Sequence, residues 1–109
     1  MNTLVGLSPR QRSIVAETLR PFGHRIDKAG LFGSGATGRA RAASDVDLVL
    51  YGPLTAAELS SVRGEFDDSD LELSVDVVAY DLIDHLGLKA HIDAVMVPLF
   101  IGEELRAAA

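Results

Sequence analysis

Two neighbouring stretches decide the fold: Ala29-Gly30-Leu31-Phe32-Gly33-Ser34-Gly35-Ala36-Thr37-Gly38, and Asp45-Val46-Asp47-Leu48-Val49-Leu50-Tyr51-Gly52-Pro53. The first reads as a short apolar strand, Ala29 to Phe32, that stops at a glycine-rich turn. The second reads as a strand, Val46 to Tyr51, that begins among acids and is ended by Gly52-Pro53. The letters G-x-G-x-x-G in Gly33 to Gly38 invite a dinucleotide-binding reading. That fingerprint needs a full crossover helix, a parallel strand and an acid about 20 positions on. Here only Arg39 to Ser44 separate the last glycine from the next strand, where a crossover takes about a dozen residues or more. The position about 20 beyond Gly33 is Pro53, so the dinucleotide reading is set aside.

Upstream, Ser8-Pro9-Arg10-Gln11 combines an N-cap serine, a proline at the first helical position and a glutamine that closes a capping box. The pattern predicts a helix from Pro9 to about Arg20, with Ile14, Val15 and Leu19 near one face and Pro21 and Gly23 closing it. Arg10, Arg12 and Arg20 read as a solvated face. Downstream, Thr55-Ala56-Ala57-Glu58 is a second capping box, opening a helix that carries Leu59, Val62 and Phe66 and ends near Asp67. A third strand alternates: Leu71, Leu73, Val75, Val77 and Ala79 on one face, Glu72, Ser74, Asp76 and Val78 on the other. Asp81 to His91 reads as helix, and Val95 to Ile101 as a last strand that Pro98 pushes to a sheet edge. Glu103 to Ala109 reads as a short terminal helix or a frayed tail. The order implies one domain over residues 1–109, of α/β (α+β) class, with a small mixed sheet flanked by helices.

The 109 residues carry ten Lys plus Arg against sixteen Asp plus Glu, a net charge of −6, which disfavours direct nucleic-acid binding and anionic membrane. No cysteine is present, so thiol chemistry, disulfides and thiolate zinc sites drop out and the cytosol is the expected compartment. The start of the chain lacks a secretory signal pattern. The longest apolar run, Ala94 to Ile101, is far short of the roughly 20 residues that span a bilayer. A chain this short is expected to hold one modest site and to draw its acceptor from another molecule.

The chemistry gathers around the acids. On a strand, residues two apart share a face, so Asp45 and Asp47 are presented side by side while Val46 and Leu48 turn to the core. Paired carboxylates repel unless they share a proton or a cation, and magnesium, which bridges carboxylates to substrate phosphates, is the natural occupant. Asp76 reads as a third member, mid-strand, where an unpaired carboxylate is costly without a metal or donor. The glycine-rich turn lets backbone N–H groups approach phosphate oxygens, Ser34 adds a hydroxyl, and Arg39 and Arg41 supply local positive charge. A nucleoside triphosphate with divalent metal is the implied ligand.

These residues, Leu31-Phe32-Gly33-Ser34, ten intervening residues, Asp45-Val46-Asp47, and Asp76 on a later strand, resemble the polymerase-beta-type nucleotidyltransferase superfamily. Within it the chain is most similar to the minimal nucleotidyltransferases, the antitoxin halves of HEPN/MNT toxin–antitoxin pairs. The resemblance covers nearly the whole chain and implies the nucleotidyltransferase fold and an adenylyltransferase that uses ATP. It implies that Asp45 and Asp47 hold two Mg2+ ions, that Asp76 completes the site, and that Gly33 and Ser34 bind the triphosphate; near the attacking oxygen, Asp76 is then the candidate general base. It also implies a HEPN toxin as partner, in a hetero-oligomer or beside a homo-oligomer, with AMP placed on a tyrosine of that toxin. One departure stands out: Gly35 occupies a position where this family often has a large basic or polar residue, which implies a weaker hold on the triphosphate unless Arg39 or Arg41 compensates.

Two other functions remain open at this stage: an antitoxin that occludes its partner without catalysis, and a small-molecule, aminoglycoside-type nucleotidyltransferase. Asp67-Asp68-Ser69-Asp70 lacks the glycine and distal glutamate of a calcium loop and reads as a solvated turn. His24, His85 and His91 show no metal-ligand spacing and read as surface or capping residues. Tyr51 and Tyr80 end strands next to the expected site, with stacking on a base as the alternative to a core role.

Overall fold

The computed structural model describes residues 7–32, 46–71 and 74–107. Its elements are α1 (Pro9–Leu19), a 3-10 segment (Arg20–Arg25), β1 (Lys28–Phe32), β2 (Val46–Tyr51), α2 (Ala56–Asp67), β3 (Val75–Ala79), a 3-10 turn (Tyr80–Leu82), α3 (Leu86–Val95), β4 (Val97–Ile101) and α4 (Gly102–Ala107).

Both capping boxes form. Ser8 Oγ accepts the Gln11 N–H at 3.1 Å while Gln11 Oε1 accepts the Ser8 N–H at 2.9 Å. Thr55 and Glu58 repeat the exchange at 3.1 and 2.9 Å. Helix α1 ends at Leu19, within a residue of the expected Arg20, and at Pro21 and Gly23 the chain tightens into the 3-10 segment Arg20–Arg25. The region 81–91 differs from the sequence reading and is not one helix: after the 3-10 turn, His85 caps α3, its Nδ1 accepting the Leu88 N–H at 3.0 Å. Helix α3 then runs on to Val95, which moves the start of β4 to Val97.

The sheet has four strands in the order β3-β2-β1-β4. β1 is antiparallel to β2 and to β4, and β2 is parallel to β3, so the sheet is mixed as expected. The antiparallel β1–β2 pair also excludes the dinucleotide fingerprint, which needs a parallel crossover at that point. One face packs Leu31, Leu48, Leu50 and Val77 against Val15 and Leu19 of α1, Val62 and Phe66 of α2, and Leu105 of α4. The other face, with Phe32 and Val49, lies under Ile92 of α3. Gly30 sits where β1 and β4 approach closely: a Cβ there would press into the Met96 thioether and come to 3.0 Å from the Val97 carbonyl. β2 ends at Gly52, whose φ of +133° requires glycine.

β3 and β4 are the outer strands, β4 at an edge as Pro98 demands. Phe100 stands opposite Ala29 and Pro98 opposite Gly30, so Leu99 is the extra residue of a bulge. Its freed carbonyl accepts from Arg12 Nη2 at 2.9 Å, and the same guanidinium lies 4.5 Å above the Phe100 ring. Arg12 makes these contacts while staying exposed, as expected. Arg20 differs from the solvated-face reading, being half-buried with its Nε enclosed. On the opposite edge, Arg63 donates to the Val77 carbonyl from Nε at 3.1 Å and Nη2 at 2.8 Å. Among the described residues no helix is long and apolar enough to cross a membrane.

Candidate active site

Three strands bring a row of side chains to one end of the sheet on the α3 face. In the antiparallel register Phe32 stands opposite Asp47, and in the parallel register Asp47 stands opposite Asp76. Register partners project to the same face of a sheet, with strands about 4.8 Å apart, so the two carboxylates are neighbours. The row lies where β1 runs out toward Gly33 and where β2 and β3 begin. Asp47 is half-buried and Asp76 exposed.

That exposure corrects one step of the sequence reading. Asp76 is the second residue of a five-residue strand, with water beside it, so no burial cost forces a counter-ion upon it. What marks it is its register with Asp47: adjacent carboxylates repel, and a shared cation relieves the repulsion. Two hard oxygen donors open to solvent suit magnesium, which takes one or two carboxylates and fills its remaining positions with water and phosphate oxygens. Among the described residues no group of three or more His, Cys, Asp or Glu side chains is placed to hold a metal. The remaining members of the sequence-derived set, Gly33, Ser34, Gly35, Arg39, Arg41 and Asp45, lie outside the described residues.

His91 meets Phe32 edge-on, ring centroids 6.4 Å apart at 77°, which sets an exposed imidazole beside the end of the row. His91 is at the surface, as its sequence context predicts; its ring contact with Phe32 has no local signal, because Phe32 belongs to a distant strand. His85 is the capping residue it was read to be. Asp67 at the end of α2 and Asp68 and Asp70 in the turn after it are all exposed, in keeping with a solvated turn.

Tyr51 and Tyr80 are placed differently from the expectation. They lie on the same face as Asp47 but at the opposite end of the strands, four residues or about 13 Å along β2. Their rings stack on each other at 4.8 Å, and an ammonium lies over each, Lys28 4.6 Å from Tyr51 and Lys89 4.9 Å from Tyr80. Tyr80 donates its hydroxyl to Asp93 at 2.9 Å. That hydrogen bond, followed by burial, holds the Tyr80 hydroxyl above its ordinary pKa; for Tyr51 burial leads and the Asp93 charge adds. With their faces engaged by each other and by lysines, the rings close the second core beside Val78 and Ile83 and offer no platform to a base.

A family model described as polymerase beta, nucleotidyltransferase matches residues 15–104. The chain belongs to that family. As a nucleotidyltransferase it is also similar to three solved structures. The first, a toxin–antitoxin with AMP-PNP, has a TM-score of 0.67 at 17% identity, over 89% of this chain and 82% of that one. The second, the toxin–antitoxin MntA–HepT, has a TM-score of 0.65 at 15% identity, over 93% and 82%. The third, a mutant of such a pair with two aspartates changed to glutamate, has a TM-score of 0.65 at 14% identity, over 89% and 81%. At these identities the likeness is one of fold. Comparison with the curated proteins gave no match.

Proposed function

We propose that this chain transfers AMP from ATP to a hydroxyl of a partner protein, a tyrosine of a HEPN-type toxin, and so acts as its antitoxin. The observation that carries the reading is the in-register pair Asp47 and Asp76 at the end of the sheet where β1 leads into Gly33 and Ser34. Similarity to toxin–antitoxin structures, one of them holding AMP-PNP, supports both the partner and the nucleotide. The cysteine-free composition suits the reducing cytosol.

Asp45, Asp47 and Asp76 are the residues that would hold magnesium. Gly33, Ser34 and Gly35 would receive the triphosphate through backbone N–H groups, with Arg39 and Arg41 adding positive charge. When bound, the metal stabilises the negative charge that builds on the phosphate oxygens during transfer. Asp47, half-buried between two paired strands, is the fixed member of the carboxylate pair. Asp76, exposed on an outer strand, is the member of the pair that an acceptor from solution can reach. It takes the proton of the attacking tyrosine hydroxyl as that oxygen bonds to the α-phosphorus, the bond to the bridging oxygen breaks and pyrophosphate leaves.

The test is transfer of label from ATP carrying a labelled α-phosphate to the partner toxin, in magnesium. Asp47→Ala is expected to lower the rate at least about 100-fold while circular dichroism reports an intact fold. Labelling at the wild-type rate by this variant overturns the proposal, and so does toxin neutralisation by Asp47→Ala without nucleotide, which would assign occlusion instead.

A further inference from the structure

We propose that Arg63 is a positioning residue for Asp76, holding the outer strand β3 in the register that sets this carboxylate beside Asp47. The proposal rests on the reading of Asp47 and Asp76 as the metal-holding pair. β3 is five residues long and its described ladder is with β2 alone, so the backbone that carries Asp76 has one paired side. A strand of that length with a single described ladder partner opens readily.

Arg63 changes that. Its Nε and Nη2 both donate to the Val77 carbonyl, at 3.1 and 2.8 Å, one residue beyond Asp76. Two N–H groups of a planar guanidinium on a single oxygen fix the direction of that carbonyl; a lysine ammonium offers no such fork. The arm that carries Arg63 is itself anchored. α2 buries Leu59, Val62 and Phe66 and is closed at its start by the Thr55–Glu58 capping box. On the strand side, Val77 is fully buried on the face opposite Asp76. The peptide after Asp76 is thus held from below by Val77 in the core and from the edge by Arg63. The carboxylate needs no contact with Arg63 to benefit, since the arginine acts through the Val77 carbonyl.

The experiment uses the full chain without metal, then with Mn2+ alone as the probe. In Arg63→Met, which keeps most of the aliphatic stem and removes the donors, amide exchange over Val75–Ala79 is expected to be about fivefold faster while exchange in α2 is unchanged. Mn2+ binding, followed by the signal of the free ion, is expected to weaken by a similar factor. Ser8→Ala, which removes the cap of α1 far from β3, serves as the control for a general loss of stability. Unchanged exchange over Val75–Ala79 in Arg63→Met overturns the proposal. So does a loss of Mn2+ binding in Ser8→Ala equal to that in Arg63→Met. Asp76→Asn separates the two levels: if it binds Mn2+ as tightly as the wild type, the reading of the carboxylate pair fails. If it loses the ion while Arg63→Met keeps it, only the role of Arg63 fails.

Discussion

Glu58 serves two partners at the start of α2. Its Oε1 accepts the Thr55 N–H at 2.9 Å, and the carboxylate pairs with Arg25 Nε at 3.2 Å. Arg25 reaches further, donating to the Pro53 carbonyl at 2.8 Å, so the pair ties the 3-10 segment to the turn after β2. The Thr55 backbone hydrogen bond, then Arg25, hold the Glu58 carboxyl below its ordinary pKa. A carboxyl depressed in the folded state binds its proton more readily in the unfolded chain. Its stabilisation is therefore complete above the ordinary glutamate range and is lost as pH falls through the depressed value. Glu58→Gln should melt below the wild type at pH 7, with the gap closing in acid below that value; calorimetry across pH checks it. The capping half of this arrangement is legible in sequence because it is spelled within four letters, Thr55 to Glu58. Arg25 is 33 residues away and Arg12 lies 87 residues from the Leu99 carbonyl it serves, and no local pattern announces either.

At the scale of elements, α3 is what gives the sheet a second covered face. Its single fully buried side chain is Ile92, packed with Phe32 and Val49. Ile92→Ala should cost about 2–5 kcal/mol, read from urea denaturation, because it empties the middle of the smaller core. The strands themselves were largely legible: β2 matches Val46–Tyr51, and the alternation of β3 assigns Val77 and Ala79 to the main core correctly. The burial cost by which the sequence singles out Asp76 does not hold, because the residue is exposed. Alternation gives the face of a residue but not whether water reaches it, and only the neighbouring strand supplies its register with Asp47. The start of α3 was misread for a related reason. Asp81, Leu82 and Ile83 have helical composition, and the break comes from Ile83 turning extended ahead of the His85 cap.

The whole molecule is a sheet with two outer strands, and an arginine sits on a carbonyl at each. At the β4 edge Pro98, the bulge and Arg12 together leave little for a foreign strand to pair with. Arg12→Ala should cost about 1–2 kcal/mol and bring concentration-dependent self-association, visible by sedimentation velocity. A monodisperse variant would show that the proline and bulge guard the edge unaided.

The pairing of β1 with β4 has a further consequence, for the order in which the molecule is made. Lys28 of the earliest strand finds its partner in Ile101 of the latest. A nascent chain that has emerged only as far as α3 therefore exposes one side of β1, the strand whose end supports Phe32 and leads to Gly33. Antiparallel β1–β2 pairing and the β2–α2–β3 crossover are able to form early, but the sheet is complete only when β4 docks. Contacts of such long range slow folding, so the β4 side of β1 should be among the last parts of the protein to become rigid after synthesis, later than the β2–β3 pairing that carries the carboxylates.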